Sequence, residues 1–259
     1  MIYTQKIKDA INFAVKTHEV YQKQKRKGKD IPYITHPLIV GLILTGTGAK
    51  EDVIIAGILH DTIEDSVPEK KVSRDMLAER FGENVADIVE SVSEKSKEFS
   101  WSERKHEALE RIESFSQDSI LVKSADILSN TTELVDDYAR DRDKIFANFN
   151  ATKEETLLHY LRAITALTKK WPESPLNEDL HKIARELQSM GAFDFMVKHH
   201  VRIIEYSEYS ENMTLECPIC YWAGTPKESG GIEYHDDLLD VSCPNCEKML
   251  LVVSYPLIK

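Results

Sequence analysis

The segment ILHDTIEDS, residues 58–66, sets one imidazole and three carboxylates at the end of an apolar run that begins at Val53. His60 and Asp61 are neighbours. On a helix, neighbours point ~100° apart, so the two share a ligand only where the helix ends and the geometry relaxes. Glu64 lies one turn beyond His60, and Asp65 one turn beyond Asp61. Acids at a helix C-terminus oppose the macrodipole, so the placement needs a further reason. An isolated His-Asp pair usually marks no more than a helix fraying into a solvated acidic turn.

Two distant segments argue for more. His36 follows the extended PYIT and precedes Pro37. Asp126 and Asn130 lie in LVKSADILSN, among the apolar Ile120, Leu121, Val122, Ala125 and Leu128. A buried carboxylate without a partner is costly, so Asp126 calls for a cation. Two imidazoles (His36, His60) and two carboxylates (Asp61, Asp126) can hold Mn²⁺, Fe²⁺ or Zn²⁺ and leave positions open for water and substrate. Glu64 or Asp65 can then orient or deprotonate the water that such an ion activates.

A second constellation stands at the other end of the chain. CPIC at 217–220 and CPNC at 243–246 give two C-x2-C pairs separated by 22 residues. Cys217, Cys220, Cys243 and Cys246 suit a tetrahedral Zn²⁺. A site closed by four thiolates is structural rather than catalytic.

These groups need elements to carry them. Up to about residue 168 the helix period dominates. Ile7, Ala10, Ile11, Ala14 and His18 share one face, and Thr4 can cap it. Pro37 suits the first turn of a helix that runs to Gly46 and Gly48. Residues 50–60 are apolar all round, as in a helix buried on every side. Further helices are expected over 73–80, 84–93, 101–115, 119–138 and 142–169, and one more over 177–190, stopped at Gly191. Pro172 and Pro175 mark a linker. After about residue 200, β-branched and aromatic residues, glycines and cysteine pairs replace the helix period. The expected division is a helical domain over 1–170, a linker and helix over 171–205, and a β-rich zinc module over 206–259. The fold class is mainly α.

The formal charge of −11 repels phosphate backbones, so nucleic acid is not the expected partner. A small anion remains compatible if positive charge is gathered locally. KQKRKGK, residues 23–29, carries five cations in seven residues; such a run is usually a solvated loop, but this one directly precedes His36. Lys123 can contact a phosphate or snorkel from its helix. His18, His106, His159, His181 and His235 show no partner pattern, and His199 and His200 read as surface. No apolar run reaches ~18 residues, and MIYTQKIKDA lacks the core of a signal peptide, so a cytoplasmic protein with no membrane partner is expected.

The pattern H…HD…D, in the form YITHP, ILHDTIEDS and LVKSADILSN, resembles the HD-domain phosphohydrolases. Within them it is similar to the hydrolases of the alarmone (p)ppGpp, over roughly residues 1–150. KRKGKDIPYITHP, the paired acids of HDTIEDS and FGENVADIVESVSE carry that finer likeness. The resemblance implies an all-helical domain with Mn²⁺ held by His36, His60, Asp61 and Asp126. It implies that Glu64 and Asp65 activate the water that attacks a 3′-pyrophosphate, releasing pyrophosphate. It implies that Arg26 stacks on guanine, with Lys27 beside it, and that Asn130 meets the ribose. Ile127, Ser129 and Thr132 depart from the family, which has a basic residue, His or Tyr, and Arg at those places. The departures remove positive charge near the expected phosphate site. They leave open another nucleotide or phosphorylated metabolite as substrate, or a nucleotide-binding module without turnover. For the acidic zinc module, net −6 from residue 207, a protein contact suits better than nucleic acid, either within the chain or with a partner.

Overall fold

Ser and Thr side chains cap the starts of five α-helices. The Thr4 hydroxyl accepts from the Ile7 N–H and opens α1 (Gln5–Val15). In the computed structural model, which describes residues 3–94, 100–198, 202–217, 222–234, 238–245 and 248–254, α1 runs on into a π-helical turn, Lys16–Gln22. The basic loop that follows is pinched by an isolated bridge between Lys25 and Pro32. Next come α2 (Thr35–Gly46), α3 (Glu51–Leu59) and the single turn α4 (Thr62–Asp65). Then follow α5 (Arg74–Phe81), α6 (Glu83–Val92), α7 (Trp101–Arg111) and the long α8 (Gln117–Asp141). The helices end with α9 (Lys153–Lys170) and α10 (Asn177–Lys198).

α3 explains its own composition. It packs against α1, α2, α6 and α8, and every residue from Val53 to Leu59 is buried. Its glycine permits the closest of these contacts. A Cβ on Gly57 would collide with Leu44 Cδ1 of α2, and one on Gly41 of α2 would sit 2.7 Å from Ile58 Cγ1. The two helices packed at this crossing carry His36 in the first turn of α2 and His60 just past the end of α3.

Three helix expectations are corrected. Residues 142–169 are not one helix: a 3-10 segment, Arg142–Asn148, precedes a break, and α9 starts at Lys153. Thr152 and Glu155 form a reciprocal capping box there, which fixes the new start. The last helix does not stop at Gly191 but continues to Lys198. The 101–115 helix ends at Arg111, followed by a 3-10 turn.

The chain divides into two compact units, Met1–Glu186 and Leu187–Lys259. The second unit contains β1 (Arg202–Glu205), β2 (Leu215–Glu216), β3 (Ala223–Gly224), β4 (Gly231–Tyr234), β5 (Leu238–Ser242) and β6 (Met249–Ser254). β1, β6, β5 and β4 form one sheet in that order, parallel only at β1–β6, and β2 pairs with β3 apart from it. Ile204, Leu215, Leu239, Val241, Leu251 and Val253 bury a small core together with Cys217 and Cys243. The fold is therefore mainly α, with a small β-rich unit at the C-terminal end. Among the described residues, no helix is long and apolar enough to cross a membrane.

Candidate active site

α3 ends at Leu59, so His60 and Asp61 occupy the joint between α3 and α4, where neighbouring side chains converge. His36 comes from the first turn of α2, and Asp126 from the middle of α8. His36 Nε2 lies 3.3 Å from His60 Nε2 and 3.2 Å from Asp126 Oδ1. Asp61 Oδ2 lies 3.0 Å from His60 Nε2 and 3.7 Å from His36 Nε2. The ligand atoms of His36, His60 and Asp126 lie within 4.8 Å of one another, and all three residues are buried.

The orientation of the rings bears on a cation. His60 Nδ1 faces the Gly57 carbonyl at 2.8 Å. A carbonyl only accepts, so Nδ1 carries the hydrogen. In the neutral ring, Nε2 then offers a bare lone pair to two carboxylates and to a second imidazole. That arrangement is repulsive unless a proton or a metal ion lies between them. With a proton, the Asp61 and Asp126 charges overcome the cost of burial and raise the His60 pKa well above the usual value. Burial likewise opposes ionisation of Asp61 and Asp126, yet neighbouring groups hold both carboxyls far below the usual range. For Asp61 these are His60 and His36; for Asp126 they are Lys123 and both imidazoles. The site is built for positive charge, and its N₂O₂ donor set fits a divalent ion with positions open.

Residues that the sequence left unassigned hold these donors. The Tyr33 hydroxyl donates to Asp61 Oδ2 at 2.5 Å. Ser129 Oγ meets His36 Nδ1 at 2.9 Å. Ser129 thus has a task of its own, beyond the loss of a family residue. Ile127 is buried as an apolar core residue. Gln24 donates to Asp65 Oδ2 at 3.0 Å and accepts from His18 Nδ1 at 3.2 Å, so His18 orients Asp65 through one intermediary.

Glu64 and Asp65 project from α4 at the rim of this cluster and line a cavity of about 400 Å³. Burial pushes the Glu64 pKa up to about 7, and the charges of Asp61, Glu94 and Asp65 add to it. A carboxyl in that range takes and gives protons near neutral pH.

The expected substrate residues also line the cavity, but they are tied to protein partners. Arg26 Nη2 donates to Asn130 Oδ1 at 2.9 Å and pairs with Glu133. Asn130 donates in turn to Asp126 Oδ1 at 2.7 Å. Lys123 pairs with Asp126 at 2.8 Å, and this carboxylate keeps its ammonium charged despite burial. Lys27 lies over the Phe149 ring, 4.6 Å from its centroid.

In the second unit, the structure describes Cys217 and Cys243; Cys220 and Cys246 lie outside the described residues, as do His199, His200 and His235. Cys217 and Cys243 are both fully buried. Their turns close alike: the Cys217 N–H donates to Trp222 O at 2.7 Å, and the Cys243 N–H to Lys248 O at 2.8 Å. Cys243 Sγ accepts from the Asn245 N–H at 3.4 Å.

Residues 10–157 match the family described as HD domain. A Xenopus tropicalis protein named guanosine-3′,5′-bis(diphosphate) 3′-pyrophosphohydrolase MESH1 is 37% identical over 130 residues, which are 49% of this chain and 69% of that one. An Aquifex aeolicus protein with the same enzyme name is 37% identical over 134 residues, 51% of this chain and 18% of that one. A solved structure titled as a metazoan ortholog of SpoT that hydrolyses ppGpp superposes with a TM-score of 0.56. It covers 74% of this chain and 97% of that one at 21% identity, a likeness of fold. With more than half its length matched, and with His36, His60, Asp61 and Asp126 gathered at one buried centre, the chain belongs to the HD-domain family.

Proposed function

We propose that the chain is a divalent-metal-dependent phosphohydrolase that cleaves (p)ppGpp-like alarmones at the 3′ position, yielding GDP or GTP and pyrophosphate. The observation that carries this reading is the His36–His60–Asp61–Asp126 cluster, with Glu64 at its rim and a cation-lined cavity above it. The names of the Xenopus and Aquifex relatives supply the substrate.

In this reading His36, His60, Asp61 and Asp126 hold Mn²⁺. When bound, the ion supplies Lewis acidity towards a phosphoryl oxygen and towards water. The chain's own residues do the rest. Tyr33 and Ser129 fix Asp61 and His36 in place. Glu64 accepts a proton from the attacking water, and Asp65, held by Gln24, orients that water. A new O–P bond forms, the bond from phosphorus to the ribose 3′ oxygen breaks, and that oxygen leaves with a proton. Arg26 presents a planar guanidinium for stacking on the base, backed by Glu133. Lys27, Lys123 and Asn130 complete the substrate contacts.

Cys217, Cys220, Cys243 and Cys246 hold a structural Zn²⁺. The matched turns at Cys217 and Cys243 support this assignment.

The test is direct. Purified full-length protein with Mn²⁺ and ppGpp should yield GDP and pyrophosphate. Absence of turnover while metal analysis finds the ion bound would remove the substrate assignment. Broad turnover of other phosphate esters with ppGpp untouched would replace it.

A further inference from the structure

Arg104 and Lys105 stand on α7 and line the cavity, yet none of the roles assigned so far uses them. Both reach the same carboxylate: Arg104 Nη1 donates to Glu94 Oε2 at 2.7 Å, and Lys105 pairs with Glu94 Oε1. Glu94 is only 11% exposed. Its backbone N–H lies 3.4 Å from Glu64 Oε2, which places this group beside the candidate base.

Charge around the cavity is unevenly matched. Arg26 and Lys29 are met by Glu133 and Asp137, and Lys123 by Asp126. Near α7, Arg104 and Lys105 share the Glu94 carboxylate, while Lys27 lies over the Phe149 ring with no carboxylate in an ion pair among the described residues. Partial burial lowers the Lys27 pKa, and the charges of Lys105, Arg26 and Arg104 lower it further. Those three cations therefore lie close enough to Lys27 to repel it. Arg104 Nε is a second sign. It is a buried donor with no hydrogen-bond partner among the described residues. A buried N–H left without a partner is costly, so an acceptor is called for.

We propose that Arg104, Lys105 and Lys27 form the subsite for the diphosphate group under attack, and that Glu94 holds the α7 cations in place until phosphate oxygens take over. The ligand class is a diphosphate, free or esterified. This rests on the hydrolase reading above, since it places the subsite next to Glu64. It also answers the departures at Ile127, Ser129 and Thr132. The positive charge absent from α8 is supplied from α7. A guanidinium suits phosphate geometry, with two N–H groups able to meet two oxygens.

The experiment uses inorganic pyrophosphate as probe. Full-length, Mn²⁺-loaded protein is titrated calorimetrically, in wild type and in Arg104→Met/Lys105→Met. Circular dichroism and metal content serve as controls. The double variant should keep its fold and metal and bind pyrophosphate at least about tenfold more weakly, as expected for loss of charge-assisted hydrogen bonds. Its affinity should also fall less with added salt. Glu94→Gln should bind pyrophosphate more tightly, because the two cations lose their internal counter-charge. Unchanged affinity in the double variant at full metal occupancy would overturn the subsite. Weakened binding in Glu94→Gln would overturn the holding role. Should wild type cleave no ppGpp while the double variant still loses pyrophosphate, the hydrolase reading falls and the subsite stands. Turnover of ppGpp with no effect of the double variant on pyrophosphate gives the reverse.

Discussion

His60 and Glu64 lie four positions apart and do different work. His60 presents a lone pair at the centre, whereas Glu64 faces the cavity with a pKa near 7. His60→Ala should therefore abolish stoichiometric metal binding, measured by elemental analysis after gel filtration. Glu64→Gln should retain the metal and lose about 10²–10⁴-fold in kcat, the usual span for a general base. Equal behaviour of the two variants would refute the division. Glu64 also predicts a pH effect in the metal-free protein. Its folded pKa of about 7 lies above its ordinary value, so the folded state binds the proton more tightly. This costs nothing below the unfolded pKa, grows as pH rises, and is complete above pH 7. The melting-temperature advantage of metal-free Glu64→Gln over wild type should thus be larger at pH 8 than at pH 5. Ser129→Ala removes the group that meets His36 Nδ1, and such outer contacts are worth about 10–100-fold in metal affinity. Competition with a fluorescent chelator would measure it. The four central donors were legible because their types conflict with an apolar context. Tyr33 and Ser129 were not. Their partners lie 28 and 93 residues away, and neither a Tyr before a His nor a Ser in a helix signals such a bond locally. Arg104 and Lys105 were hidden differently, as ordinary charges on a polar helix.

At the scale of elements, the site depends on how closely α2 and α3 cross. Gly57 sits at that crossing, and its carbonyl also fixes the His60 tautomer. Gly57→Ala has two opposed effects. Helix propensity favours Ala by ~1 kcal/mol. Overpacking costs ~1–3 kcal/mol, and Leu44, fully buried, has no free space to retreat into. The overpacking should win, with a net loss of about 1 kcal/mol in urea unfolding and a weaker metal site. Gain of stability with unchanged metal affinity would show that the crossing tolerates a methyl. Helix positions were readable from period and caps, but several ends were not. Gly191 costs ~1 kcal/mol inside a helix and so reads as a stop, yet α10 continues past it. The start of α9 was signalled by Thr152 and Glu155, but the apolar Ile145, Phe146 and Phe149 before it imitate helix periodicity.

Across the whole molecule, two units draw stability from different sources. The helical unit buries a large apolar core around α3. The described core of the β-rich unit is only nine buried residues, two of them Cys217 and Cys243. A core that small does not stabilise a fold alone, and a metal is a common supplement. Zinc peptides gain about 10–16 kcal/mol of apparent binding energy at neutral pH, ample for such a unit. Chelation should therefore unfold residues 210–259 selectively. Limited proteolysis after mild chelator treatment should cut within that span and leave a resistant fragment containing residues 5–170. Far-UV circular dichroism should keep nearly all of its helical signal, because the α-helices of the described residues lie before residue 199. On the proposed reading the same chelator should also strip the His-Asp centre, and that loss should remove activity rather than the fold, since α2, α3 and α8 pack through apolar side chains around it. Restoring Zn²⁺ alone should protect the C-terminal span from protease, while Mn²⁺ should restore turnover. Collapse of the whole helical signal on mild chelation would show that the two units do not fold independently. Protection of the C-terminal span without any metal would show that the cysteines do not need one.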